Sequence, residues 1–220
     1  MKIGIFGGTF NPIHYGHLRS AEEVRLRFGL DRIFFVPSGN PPLKRKDLTD
    51  AGHRYNMVSM AARDNPCFEV LDIECTRPGK SYTVNTLELL LNKYPDADFS
   101  FISGVDAFLD IPNWHEPEKI LSLVNFIVIS RPGKNFADLF HSPYLGLKRT
   151  SLASLDRGEA SLITAVLRGG RRVSLATVTP IGTSSTEIRK CVKKGSSIKY
   201  LLPAEVESYI ISNNLYRGKN

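Results

Sequence analysis

The run Gly7-Gly8-Thr9-Phe10-Asn11-Pro12-Ile13-His14-Tyr15-Gly16-His17 follows directly on an apolar stretch, Ile3-Gly4-Ile5-Phe6. A strand that turns on paired glycines and then enters a helical repeat limits what this chain can fold into more than any other feature. The glycines let the backbone approach a ligand with no Cβ in the way. The helix that follows presents unpaired N–H groups and a partial positive charge, a setting that suits phosphate. His14 and His17 add side-chain donors and are expected to carry some positive charge near neutral pH. The competing view, two ordinary turn histidines, leaves the Gly-Gly turn unexplained.

Beyond this run, strand and helix signals alternate. Leu18, Ala21, Val24 and Phe28 recur at helical spacing, and Gly29 is a natural stop. Strands are expected at 2–6, 32–36, 68–73, 99–102, 125–130 and 173–178, and helices at 54–63, 83–92 and 186–194. Several strands end in turn residues: Pro37-Ser38-Gly39, Ser103-Gly104 and Arg131-Pro132-Gly133. This order predicts an α/β fold: a Rossmann-like, doubly wound parallel sheet with helices on both faces. It forms a single domain over 1–220 with a C-terminal helical portion. Such sheets bind ligands beyond the carboxyl ends of the strands, where the strand order reverses. Residues 134–172 fit the pattern least well. A helix is expected near 159–168, ended by Gly169-Gly170, and the segment is a candidate insertion.

The chain has 220 residues, 42% of them hydrophobic, enough for one full core. No apolar stretch reaches the length of a membrane span, and Met1-Lys2 leads into a short strand rather than a secretory signal. Cys67, Cys75 and Cys191 are odd in number and lack metal-ligand spacing, as expected of reduced thiols in a cytoplasmic protein. The net charge of +7 suits either nucleic acid or a polyphosphate pocket. The basic residues are scattered apart from Lys44-Arg45-Lys46 and Arg171-Arg172, with no interleaved aromatics. Neither a nucleic-acid partner nor a membrane is expected.

A second constellation lies near the other end, Gly182-Thr183-Ser184-Ser185-Thr186-Glu187-Ile188-Arg189. Ser184 and Glu187 fit a capping box, so a helix begins here. The hydroxyls and Arg189 exceed what a cap needs and would serve an anion at the helix start.

Together the two motifs resemble the signatures of the nucleotidyltransferases that carry an HxGH motif. Within them the chain most resembles the bacterial nicotinate mononucleotide adenylyltransferases. Further matches are Pro37-Ser38 with Pro41-Pro42, Ser81 to Leu87, Ser103-Gly104-Val105-Asp106, Trp114, Arg131-Pro132-Gly133, and Tyr200-Leu201-Leu202-Pro203 with Leu215-Tyr216. The resemblance covers nearly the whole chain except 134–172. It departs at Asn11 and Asn85, where the family commonly has Asp, and at Leu43, where it often has His.

The resemblance implies transfer of the adenylyl group of ATP to nicotinate mononucleotide, with release of pyrophosphate. The acceptor phosphate is already ionised at neutral pH and needs no general base, so positioning and electrostatics should dominate. On this reading His14, His17 and Arg189 are the catalytic residues. Gly7, Gly8, Thr9, Phe10, Gly104, Asp106, Ser185 and Thr186 bind ATP, and Tyr82, Thr83 and Trp114 hold the pyridine nucleotide. Mg²⁺ would arrive with ATP, held by phosphates and waters rather than by a protein cage. Plain structural roles compete at several of these positions. Thr83 and Asp106 could cap helices, and Trp114 could be core. Two other functions compete: another HxGH nucleotidyltransferase, such as one acting on phosphopantetheine, or a non-catalytic nucleotide sensor on the same fold.

Overall fold

A computed structural model describes residues 1–42 and 47–217. Its seven strands are β1 (Lys2–Gly8), β2 (Arg32–Pro37), β3 (Phe68–Val70), β4 (Asp98–Gly104), β5 (Asn125–Ile129), β6 (Leu162–Val166) and β7 (Arg172–Ala176). They form one sheet in the order β3-β2-β1-β4-β5-β7-β6. Neighbours run parallel except β6, which is antiparallel to β7. The helices are α1 (Tyr15–Phe28), α2 (Ala51–Ala62), α3 (Thr83–Lys93), α4 (Val105–Leu109), α5 (Pro117–Leu123), α6 (Arg149–Asp156), α7 (Ser185–Lys193) and α8 (Ala204–Ser212).

Alternation along β1 divides the core into two layers. Ile3 and Ile5 join Phe34, Leu87, Phe101 and Phe126 in the layer beneath α3, α4, α5 and α6. Phe6 turns the other way, toward Ile33, Phe35 and Ile102, in the layer beneath α1, α2, α7 and α8. The sheet is therefore covered on both faces, as its apolar strands require. Gly29 closes α1 in the left-handed region at φ 59°, its N–H bonded back to Arg25 and Leu26.

The winding fixes where a ligand can sit. From β1 the chain steps outward to β2 and β3, returns through α3 to β4 on the other side of β1, and continues to β5. The order thus reverses between β1 and β4, so their carboxyl ends, Gly8 and Gly104, border the crevice of a doubly wound sheet.

Residues 134–172 depart from expectation. The helix expected near 159–168 is strand β6, and α6 lies ahead of it, where no element was anticipated. Leu162, Thr164 and Val166 are exposed while Ile163 and Ala165 are half-buried, a period of two rather than 3.6. β-branched Ile163, Thr164 and Val166 favour that choice. Gly169-Gly170 closes a hairpin, not a helix. The Leu167 N–H donates to the Arg171 carbonyl, the Gly170 N–H donates to the Leu167 carbonyl, and Gly170 sits at φ 81°. The segment is built into the main fold, because Phe136, Leu139, Leu152 and Leu155 belong to the first core layer. The strand expected at 68–73 is shorter than anticipated, ending at Val70.

Candidate active site

The loop after β1 is shaped by its aromatic packing. Phe10 is held at φ 43° and is 2% exposed as a whole residue, its ring edge-on to His17 at 5.2 Å. Its ring therefore braces the loop from below, and only its backbone is left for a nucleotide. A Cβ on Gly8 would lie 3.1–3.3 Å from that ring, so the turn fits glycine there. His14 is the N-cap residue of α1, its side chain makes no cap bond, and its ring stacks on His17 at 3.8 Å. The Nδ1 atoms of both histidines are shielded and have no hydrogen-bond partner among the described residues. Unsatisfied buried polar atoms cost about 1–3 kcal/mol each, so they are kept where a ligand completes them.

The electrostatics correct one expectation. Burial, reinforced by the nearby Arg131 guanidinium, pushes His14 down from 6.5 to about 4. Burial, then His14 and Arg131, hold His17 well below its ordinary value. Both imidazoles are neutral at neutral pH in the free protein, and each still offers one N–H donor. The fixed positive charge acting on them comes from Arg131.

The second motif meets the first directly. Ser184 caps α7, its Oγ accepting from the Glu187 N–H at 3.2 Å, as the capping box predicts. Ser185 Oγ donates to the Pro12 carbonyl at 2.8 Å, and Arg189 Nη1 donates to the Asn11 carbonyl at 2.8 Å. Segments more than 170 residues apart in sequence are thereby bonded into one wall. The Ser185 hydroxyl proton is engaged in that joint, which leaves its backbone N–H at the helix start for an anion. Thr186 is exposed, and its Oγ1 lies 3.5 Å from Arg189 Nη2.

Thr183 joins the same wall and was missed from sequence. Its Oγ1 is buried and unpartnered, and its methyl group lies 3.7 Å from a Cβ built on Gly16, where His14 Nδ1 lies 2.9 Å away. The available signal was its place in the hydroxyl run just ahead of the cap.

Across the crevice, Gly104 ends β4 and caps α4 without a side-chain bond. A Cβ on Gly104 would lie 2.8 Å from Asp106 Oδ1. Asp106 does not cap the helix; its carboxylate accepts from Arg131 Nη1 at 3.1 and 3.3 Å. Arg131 was missed as a site residue, although Arg131-Pro132-Gly133 marked a strand end.

The acceptor-side residues also come together. α3 begins at Thr83, and Tyr82 at its cap position supplies no side-chain bond. Tyr82 and not Thr83 holds the cap position, so the plain cap role for Thr83 falls away, and the first turn carries no acidic residue of its own to oppose an anion. The Tyr82 ring lies over His115 at 4.3 Å, a partner that sequence reasoning did not single out. Trp114 is half-buried, anchored by its Nε1 donating to Asp110 Oδ2 at 3.3 Å. It packs edge-on to Phe101 at 6.1 Å, and the Phe101 ring lies 3.4 Å from a Cβ built on Gly7. One phenyl ring therefore separates the indole from the phosphate loop.

Asn11 explains its own departure. Its Nδ2 donates to the Asp47 carbonyl at 2.8 Å, and its Oδ1 accepts from the Thr49 N–H at 3.3 Å and the Tyr216 hydroxyl at 3.0 Å. Only an amide can do both, since a carboxylate has no proton for the carbonyl. Asn85 is exposed on α3. Leu43 and Lys44-Arg45-Lys46 lie outside the described residues. Cys67, Cys75 and Cys191 are free thiols. Among the described residues no group of three or more His, Cys, Asp or Glu is placed to hold a metal, and no helix is long and apolar enough to cross a membrane.

Comparison with known proteins agrees with this geometry. The cytidylyltransferase-like family matches residues 5–191. A "probable nicotinate-nucleotide adenylyltransferase" of Desulfitobacterium hafniense (strain Y51) is 43% identical, over 98% of this chain and 96% of its own. Its namesake from Geobacter sulfurreducens is 42% identical over 98% of both chains. The fold matches the Plasmodium falciparum nicotinic acid mononucleotide adenylyltransferase solved in complex with NaAD. That match has a TM-score of 0.73 at 23% identity, covering 98% of this chain and 97% of that one. The chain belongs to the cytidylyltransferase-like family and, within it, to the nicotinate-nucleotide adenylyltransferases.

Proposed function

We propose that this protein transfers the adenylyl group of ATP to nicotinate mononucleotide, giving nicotinate adenine dinucleotide and pyrophosphate in NAD biosynthesis. The observation that carries this reading is the joint between the two motifs. Arg189 and Ser185 bond the carbonyls of Asn11 and Pro12 beside a histidine pair whose Nδ1 atoms await partners.

An oxygen of the acceptor 5′-phosphate forms a bond to the ATP α-phosphorus. The bond from that phosphorus to the bridging oxygen of the β-phosphate breaks, and pyrophosphate leaves with the electron pair. The attacking oxygen carries no proton to remove, so the protein's task is alignment and charge stabilisation. His14 and His17 donate N–H groups to the phosphates, with Arg189 and the starts of α1 and α7 opposing the charge of the leaving pyrophosphate. Gly7, Gly8 and Thr9 supply backbone approach, while Gly104 and Asp106 face the adenosine ribose. Trp114 and Tyr82 wall the pyridine ring, and the open start of α3 at Thr83 receives its carboxylate. The neutral amide would gain less there, which favours the acid as substrate.

Mg²⁺ would enter with the triphosphate. The donor set fits that route, because the Asp106 carboxylate is paired with Arg131. Bound there, it neutralises phosphate charge. Scattered basic residues and free thiols favour a cytoplasmic enzyme that uses small nucleotides rather than nucleic acid or membrane.

The test is pyrophosphate release from Mg-ATP with nicotinate mononucleotide, its amide and phosphopantetheine in parallel. Turnover on the acid, exceeding the amide, is expected. Turnover on phosphopantetheine alone would reassign the acceptor, and tight ATP binding with no turnover would favour the sensor.

A further inference from the structure

Arg54, in the first turns of α2, is the largest fully buried side chain among the described residues and has no solvent exposure. A buried guanidinium stays charged, so it needs partners. Among the described residues no carboxylate lies within ion-pair distance of it. Instead its three nitrogens go to three neutral carbonyls on three separate segments: Nε to Thr49 at 2.8 Å, Nη1 to Thr9 at 2.8 Å and Nη2 to Gly39 at 2.9 Å. A desolvated cation bonded only to backbone is costly if its purpose is stability alone, since an apolar side chain would pack the same space without that penalty.

The three carbonyls belong to the parts that must be held relative to one another. Thr9 lies in the phosphate loop after β1. Gly39 lies in the loop after β2, and the N–H groups of Gly39 and Asn40 donate to Ser81 Oγ at 3.1 and 3.0 Å. The Ser81 N–H returns a bond to the Asn40 carbonyl at 2.9 Å. Ser81 immediately precedes Tyr82 and Thr83, where α3 opens toward the acceptor. Thr49 is tied to the same frame, its N–H donating to Asn11 Oδ1 at 3.3 Å. An unbroken chain of hydrogen bonds thus runs from the phosphate loop through Arg54 to the acceptor helix. Gly39 seats this chain tightly, because a Cβ there would overlap the Glu74 carbonyl oxygen.

We propose that Arg54 is a positioning residue that spaces the ATP loop from the acceptor loop, so that the acceptor phosphate meets the α-phosphate in line. It touches neither nucleotide. The planar fork matters as much as the charge, because one ammonium cannot reach three divergent carbonyls with the same geometry.

This inference rests on the adenylyl-transfer reading, and its test separates the two. Arg54→Lys keeps the charge and loses the fork. Its expected signature is a fall in kcat of tenfold or more, while the separately measured dissociation constants for ATP and nicotinate mononucleotide stay within about threefold of the parent. Hydrogen exchange should also quicken together in peptides covering 7–12 and 37–42, with α8 unchanged. An unchanged kcat, or affinities that fall in step with kcat and melting temperature, would overturn the proposal. If Arg54→Lys does not fold, Ser81→Ala tests the far end of the same chain. It should lower kcat without weakening ATP binding, and parent-like kcat would again overturn the proposal. Parent protein with no turnover on either pyridine nucleotide would refute the functional reading. The exchange of the two loops would still decide the role of Arg54.

Discussion

Acidification should weaken the free protein through His14, and the size of the effect follows from its burial. The imidazole falls from 6.5 to about 4 because it is 5% exposed and faces Arg131. Between those two values the unfolded chain binds a proton that the folded chain refuses. Stability therefore rises with pH across that window, is complete above 6.5, and is lost as pH falls toward 4. For an unfolded value of 6.5 and a folded value of about 4, lowering the pH from 7 to 5 removes roughly 2 kcal/mol through this residue. The assay is urea unfolding at pH 7, 6 and 5 for the parent and His14→Asn. The parent should lose at least about 2 kcal/mol more than the variant over that range, because His14 also helps hold His17 down and its removal lessens the variant's remaining slope. Bound polyphosphate opposes the shift, so added ATP should protect the parent increasingly as pH falls. Its binding near pH 6 should take up protons, read as a dependence of the binding heat on the buffer's ionisation enthalpy. Equal pH slopes in parent and variant would refute the reasoning, because His14 would then titrate normally in the folded state.

Three further outcomes follow from other contacts. His17→Ala should lower kcat by about 100-fold through loss of a phosphate donor and shift the melting temperature little; unfolding would instead mark a structural role. Gly39→Ala forces a Cβ onto the Glu74 carbonyl oxygen and should cost about 3 kcal/mol in urea unfolding, while Gly146→Ala, with nothing within 4 Å of the added Cβ, should be nearly neutral. Asn11→Asp sets a carboxylate against the Asp47 carbonyl at a position 3% exposed. It should destabilise the protein by about 1–3 kcal/mol, and a variant as stable as its parent would show that the Asp47 bond contributes nothing.

The doubly wound sheet was legible because apolar runs and helical repeats alternate in register with turn residues, and each signal is local. The two motifs that the fold brings together were legible for the same reason at both ends: Gly7-Gly8 with His14 and His17 at one, and the capping box with Arg189 at the other. Segment 159–168 misled because Gly169-Gly170 can end a helix or close a hairpin, and pairing with β7 settles the strand that Ile163, Thr164 and Val166 favour. Arg131, Thr183 and the buried bracing role of Arg54 escaped because their significance is tertiary. Nothing near Arg54 in sequence announces that Thr9, Gly39 and Thr49 will turn their carbonyls toward one point. The charge state of the histidines was misjudged for a related reason, since residue type sets the unperturbed titration and burial sets the actual one.

That last point changes how the site handles charge. Two stacked imidazoles at 3.8 Å would repel if both were protonated, and burial removes the water that could screen them. Keeping them neutral makes the empty crevice tolerable, with its fixed charge on guanidinium groups at the rim: Arg131 paired with Asp106, Arg189 on the Asn11 carbonyl. On the proposed reading, a triphosphate would supply the negative charge that makes protonation favourable, so positive charge would gather on the histidine pair when ATP arrives and not before. The same ordering serves the chemistry, because positive charge is then greatest where the leaving pyrophosphate develops its own charge. Donors that are neutral in the free protein, with fixed cations held by backbone and carboxylate at the rim, would let one chain of net charge +7 build an anion site without a concentrated basic patch.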